Sequence, residues 1–208
     1  MSEPDWLLWA REIQSIAQTG LTFNVAGYDH ERYRALQSLA ARIMAARGGA
    51  DPQHVDALFA GQTGYATPKV DVRGAVFRDR QILLVRETAD HGRWTLPGGW
   101  ADVNLTAAEN VVKEVQEESG FDVTVTKLAA VWDRTRQGHT PRPFHAYKMF
   151  FLCRIIGGAA RTSDETSEVG FFPRDGIPED ISVDRTLATQ IDRMFDHAEL
   201  AGLSTDYE

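Results

Sequence analysis

The stretch WTLPGGWADVNLTAAENVVKEVQEESGF, residues 94–121, constrains this chain more than any other. A Pro97-Gly98-Gly99 turn precedes a segment with Ala108, Val111, Val112 and Val115 at the spacing of one apolar helix face. Thr106 suits the N-cap, Glu109 completes a capping box, and Gly120 suits the residue that ends the helix. The pattern predicts a helix over 107–118, anchored by its valines. Glu114, Glu117 and Glu118 fall at i, i+3 and i+4 and lie largely off the valine stripe. Carboxylates crowded on one patch repel and raise one another's pKa unless a cation lies among them. Oxygen ligands suit a hard divalent ion such as Mg²⁺, with Mn²⁺ as the alternative. Glu114 and Glu118, one turn apart, are the primary ligand candidates, and Glu117 would serve a second ion or its water. Glycine lets backbone approach closely, so a carbonyl of the turn could complete the shell. A solvated acidic face is the common fate of such a cluster; the turn in front of it argues for a site.

The rest of the chain provides a frame for that segment. Trp6, Trp9, Ile13, Ile16 and Ala17 predict an amphipathic helix over 5–19, stopped by Gly20. A second helix is expected from about Asp29 to Arg47, with Tyr33, Leu36, Leu39, Ala40 and Ile43 on one face. A third runs from Pro52 to Ala60 with Asp51 as its cap. GQTGYATPK has loop composition and separates a helical piece, 1–64, from the remainder, 65–208. Beyond it, VDVRGAVF, QILLVRE, WTLP, FDVTVTKLAAVWD, AYKMFFLCRII and EVGFF read as strands, and DRTLATQIDRMFDHAEL reads as a closing helix. Interleaved strands and helices imply an α+β fold with a mixed sheet.

Net charge is −8, from 30 acidic and 22 basic side chains, which gives no basic face for nucleic acid and disfavours an anionic membrane surface. Cys153, the single cysteine, lies in an apolar run and is expected to be a buried strand residue. The N-terminus lacks the basic-then-apolar pattern of a secretory leader, and no apolar run has spanning length, so the expected compartment is the cytoplasm. The loop after Trp132 carries Arg134, Arg136, His139, Arg142 and His145, whose guanidinium groups suit diphosphate oxygens. Trp132 could stack on a base, although core packing is the commoner use of such a ring.

Gly99, Glu114, Val115, Glu117, Glu118, Gly120 and Phe121 resemble the Nudix box, G-x5-E-x7-R-E-U-x-E-E-x-G-U. Leu105 stands where the box has its first glutamate, and Lys113 where it has arginine. In the family those two brace loop against helix; here Lys113 is expected to pair with Glu109 instead. The resemblance implies an α/β/α sandwich that hydrolyses a phosphoanhydride with divalent metal. It implies the Gly98 carbonyl as a ligand and a glutamate on a later loop as general base, here Glu165 in preference to Glu168. The N-terminal run resembles the helical extension of Nudix pyrophosphatases acting on X-linked nucleoside diphosphates such as ADP-ribose and CDP-choline. It implies a small nucleotide-derivative substrate and a homodimer. Two other classes are kept in view. One is a non-catalytic ligand-sensing module on the same scaffold, which would be free to lose its carboxylates. The other is a helical adaptor that uses the N-terminal piece.

Overall fold

A computed structural model describes residues 3–23, 27–200 and 202–208. It divides into two compact units: the chain up to Pro68 together with Pro141–His145, and Lys69–Thr140 together with Ala146–Glu208.

The first unit contains α1 (Asp5–Phe23), α2 (Tyr28–Gly48) and α3 (Pro52–Ala60). Its core is Leu7, Ala10, Ala40, Ala41, Met44, Ala45, Val55 and Phe59, with Phe144 edge-on to Phe59 at 6.3 Å. Asp51 caps α3 by accepting from the Gln53 amide at 3.0 Å, as the sequence predicts. Two expectations for α1 are corrected. Its buried stripe is Leu7, Ala10, Gln14, Ala17 and Gln18, so Trp9 and Ile16 stand 61% and 51% exposed. Alanine lets the helices approach closely, and that shifts the buried face away from the large rings. Nor does Gly20 stop the helix, because the Tyr33 ring lies where its Cβ would be. The glycine serves helix packing, and α1 runs on to Phe23. The link expected over LTFNVAG, residues 21–27, is helical as far as Phe23, and its residues 24–26 lie outside the described residues.

The second unit is built on β1 (Lys69–Arg78), β2 (Gln81–Glu87), β3 (Arg93–Thr95), β4 (Phe121–Asp133), β5 (Ala146–Gly158) and β6 (Thr166–Pro173). Its helices are α4 (Ala107–Ser119) and α5 (Ala188–Glu199). Sheet order is β3-β2-β1-β5-β4, with β6 on β2; β1 and β5 run parallel and the other pairs antiparallel. Asp79 and Arg80 both adopt positive φ, the backbone of a two-residue hairpin turn between β1 and β2. Alternation along the strands sends Val72, Val76 and Leu83 to Val111 and Val115 of α4. Ala75, Ile82 and Leu84 meet Ile191, Met194 and Phe195 of α5 on the other face. This is the α/β/α sandwich around a mixed sheet that the motif implies. Cys153 is buried in β5, and burial pushes its thiol up to about 12, so it is inert packing. Among the described residues no helix is long and apolar enough to cross a membrane.

Helix α4 can sit close to the sheet because Gly74 lies beneath it. A Cβ at Gly74 would stand 2.6 Å from Val115 Cγ2 and 3.2 Å from Val111 Cγ2. Gly74→Ala is expected to cost about 1–3 kcal/mol of stability through overpacking. Combined with Val115→Ala, the loss should be smaller than the sum of the two singles, because the contact they share is removed. Urea unfolding of the three variants checks this.

Candidate active site on helix α4

The helix begins as its sequence dictates. Thr106 accepts from the Glu109 amide, and Glu109 reaches back to the Thr106 amide at 2.7 Å. That capping box occupies Glu109, so the expected Lys113–Glu109 pair does not form. Lys113 instead bonds Asp102 at 2.9 Å and lies 3.3 Å from Glu117.

Glu118 corrects a second expectation. It is seven residues beyond Val111 and three beyond Val115, so it lies on the buried stripe and is only 4% exposed. The Gly98 amide donates to its Oε2 at 2.9 Å. Gly98 has φ +139, and a Cβ there would overlap the Val72 carbonyl, so only glycine fits between β1 and the carboxylate. A Cβ on Gly99 would meet Glu114 Oε2 at 3.0 Å, which puts the second carboxylate against the same turn. The Pro97 and Gly99 carbonyls accept from Gly74 and Val72. Gly98 carries the one carbonyl of the three that β1 does not engage.

Burial pushes the Glu118 carboxyl up to about 8, with Glu114 and Glu87 adding to the rise and Arg73 and the Gly98 amide opposing it. Glu114 is raised in the same way, first by burial and then by Glu117 and Glu165, against Lys113 and Arg73. Beneath them lies a buried ion cluster. Arg73 grips Asp71 with two bonds of 2.9 and 2.8 Å and donates to the Leu96 carbonyl at 3.1 Å. Lys148, opposite Asp71 on β5, bonds it at 2.6 Å. Burial pushes Asp71 up, but Arg73 and Lys148 outweigh it and hold the carboxyl at about 2.

Glu165 and Glu168 part company. Glu168 is engaged by Arg86 at 2.6 Å. Glu165 is exposed and near enough to Glu114 to raise it. Its carbonyl accepts from the Thr88 amide at 2.8 Å, and the next residue, Thr166, donates to the Glu118 carbonyl at 2.7 Å. The loop is thereby tied to the end of α4. Glu117 is turned to Lys113 and half exposed. In this conformation no three His, Cys, Asp or Glu side chains among the described residues converge to hold a metal ion. Glu117 would have to leave Lys113 to join a shell. The donor set itself fits a hard divalent cation: two carboxylates whose pKa is raised by burial and by neighbouring carboxylates, beside a glycine carbonyl.

The arginine loop is split between the units. Arg134 is buried, with Asp184 3.7 Å away, and Arg136 is exposed beside Asp133; both belong to the sheet unit. Trp132 packs in the core against Phe150, ring centroids 5.0 Å apart. Arg142 and His145 cluster with the helical unit, where the Arg142 carbonyl accepts from Arg11 at 3.0 Å. Asp71, Arg73, Glu87 and Lys148 were not anticipated. The signal was present: charges set within apolar strand sequences, two of them two residues apart and so on one face.

Comparison with known proteins gives this geometry its family. Residues 67–193 match the NUDIX domain, and residues 4–59 match a domain described as UDP-X-like, N-terminal oligomerisation. A Bacillus subtilis protein provisionally named an ADP-ribose pyrophosphatase is 46% identical over 92% of this chain and 91% of its own length. The crystal structure of a UDP-X diphosphatase aligns over all of both chains with TM-score 0.62 and 30% identity. That of a Streptococcus suis ADP-ribose pyrophosphatase covers 68% of this chain and 100% of its own, with TM-score 0.62 and 37% identity. The chain belongs to the Nudix family and is a Nudix pyrophosphohydrolase. Enzymes of this family generally use divalent metal ions.

A divalent cation held by the raised Glu118 would bind in a pH-dependent way. A cation must displace its proton below about pH 8, so the apparent Mg²⁺ association constant should rise with pH and level off above about 8. In metal-free protein the sign is opposite. The folded chain binds the extra proton between the ordinary carboxylate range and about 8, so this group's contribution to stability falls as pH rises through that window. Glu118→Gln should flatten both dependences in calorimetric titrations. Removing the partner of two buried cations by Asp71→Asn is expected to cost about 3–5 kcal/mol, measured by urea unfolding.

Proposed function

We propose that the protein hydrolyses the phosphoanhydride bond of a nucleoside diphosphate linked to a moiety X. ADP-ribose is the first candidate, and CDP-choline and UDP-linked X compounds belong to the same class. Water adds across the P–O–P linkage, giving a nucleoside monophosphate and phospho-X. The observation that carries this reading is the buried Glu118 beside Glu114, both pressed on the Gly98-Gly99 turn of a Nudix domain. The printed names of the relatives support the substrate class.

Glu114, Glu118 and the Gly98 carbonyl would hold Mg²⁺ or Mn²⁺, with Glu117 joining when it leaves Lys113. A bound ion supplies charge neutralisation of the diphosphate and a more acidic water. Glu165 is the preferred base, since its loop is tied to α4 while Glu168 is paired with Arg86. Arg134, Arg136, Arg142 and His145 remain candidates for the diphosphate and X, and Trp132 for support of that loop from within the core. The working division is a helical domain, 1–64, and a hydrolase domain, 65–208. We assign a cytoplasmic homodimer formed through the helical domain. Trp9, Ile16 and Phe23 stand exposed at seven-residue spacing on α1, the seam a second helix would cover.

The test is release of phosphate from a panel of ADP-ribose, CDP-choline and UDP-sugars, coupled to a phosphatase, with Mg²⁺ or Mn²⁺. Cleavage of at least one compound is expected, and Glu118→Gln should lower kcat by about a hundredfold or more. Intact substrates throughout the panel would refute the reading. Binding without turnover would instead favour a ligand-sensing module.

A further inference from the structure

The turn that carries Gly98 and Gly99 must be held still against α4, because both carboxylates meet its backbone. Two box positions that would do this are changed here: Leu105 carries no charge and is 41% exposed, and Lys113 replaces arginine. The structure shows a different attachment. As far as Ala101 the segment is pinned to β1, where the Ala101 amide donates to the Val70 carbonyl at 2.9 Å. The next residue, Asp102, is tied to α4 through all of its polar groups. Its amide donates to Asn110 Oδ1 at 2.8 Å, and its carbonyl accepts from Asn110 Nδ2 at 3.2 Å. Its carboxylate accepts from Lys113 Nζ at 2.9 Å. Asn110 is 1% exposed and also donates to the Thr106 carbonyl at 3.1 Å and the Leu105 carbonyl at 3.4 Å, so it closes the loop from within. Lys113 reaches Glu117 as well, at 3.3 Å.

We infer that Asp102 and Lys113, seated on Asn110, are positioning residues that brace the glycine turn against the carboxylate helix in place of the changed pair. The inference rests on the metal-binding reading of Glu114 and Glu118. An isolated exposed ion pair contributes little to stability. This pair links the loop carrying one proposed ligand backbone to a residue that directly precedes Glu114 and pairs with Glu117 one turn on. Its effect should therefore be read in metal affinity and not in folding.

The test uses the full-length protein, with Mn²⁺ titrated against free-ion EPR signal in the absence of substrate, and thermal unfolding in EDTA. Asp102→Asn keeps both backbone clamps and removes the charge; Lys113→Met removes its partner. Each should weaken Mn²⁺ binding about fivefold, the equivalent of roughly 1 kcal/mol, with the EDTA midpoint close to wild type. The double variant should bind no more weakly than either single. Leu105→Glu added to Asp102→Asn should recover affinity by giving Lys113 a carboxylate again, and Lys113→Arg alone should retain it. Unchanged Mn²⁺ affinity in the single variants, tighter binding in Lys113→Met, or additive losses in the double would overturn the brace. A wild-type protein that binds no Mn²⁺ would overturn the metal reading and the brace together. Wild-type binding with indistinguishable variants removes the brace alone.

Discussion

A carboxylate that is 4% exposed is the constraint around which this protein is arranged. Burying such a group is costly unless it is protonated or finds a cation. Glu118 is buried because its position continues the Val111–Val115 stripe, so the same periodicity that docks α4 on the sheet carries the carboxylate inward. The docking depends in turn on Gly74, which admits Val115, and on Gly98, which fills the gap between β1 and Glu118 with backbone only. Packing and chemistry here share one set of contacts, since a helix seated further from the sheet would also leave Glu118 in water with an ordinary pKa.

Sequence periodicity was a good guide where one rule dominated. The capping box at Thr106 and Glu109, the left-handed Gly120 and the Asp51 cap all follow from local chemistry, and the structure has each of them. It failed where tertiary packing decided. On α1 the largest side chains suggested the buried face, but small residues at Ala10, Ala17 and Gly20 set the approach of the helices and left Trp9 outside. Glu118 is expected off the valine stripe because a glutamate reads as polar before its position on the stripe is counted. Lys113 was given the partner that helical spacing allowed, but a loop residue with no fixed spacing took its place.

The buried ions at Asp71, Arg73 and Lys148 were hidden for a different reason. A strand such as VDVRGAVF alternates, so Asp71 and Arg73 could be read as solvent-facing until β5 is placed beside β1. Only that pairing puts Lys148 opposite Asp71. The site thus depends on a long-range parallel register, and no local pattern encodes which strand will be the neighbour.

That register has a consequence for the carboxylates. Arg73 is the cation whose charge acts most strongly on Glu118, yet its fork is committed to Asp71, and its Nη1 donates to the Leu96 carbonyl. It eases the burial of Glu118 through its field without forming the close pair that would neutralise it, and the carboxyl stays raised at about 8. An arginine free to close on Glu118 would compete with any incoming ion for the same oxygens. Lys148 bonds the same Asp71 Oδ1 that Arg73 Nε uses, so two cations share the one carboxylate that fixes the Arg73 fork. The acid surplus of α4, with Glu87 and Glu165 adding to it, is therefore only partly offset by Arg73.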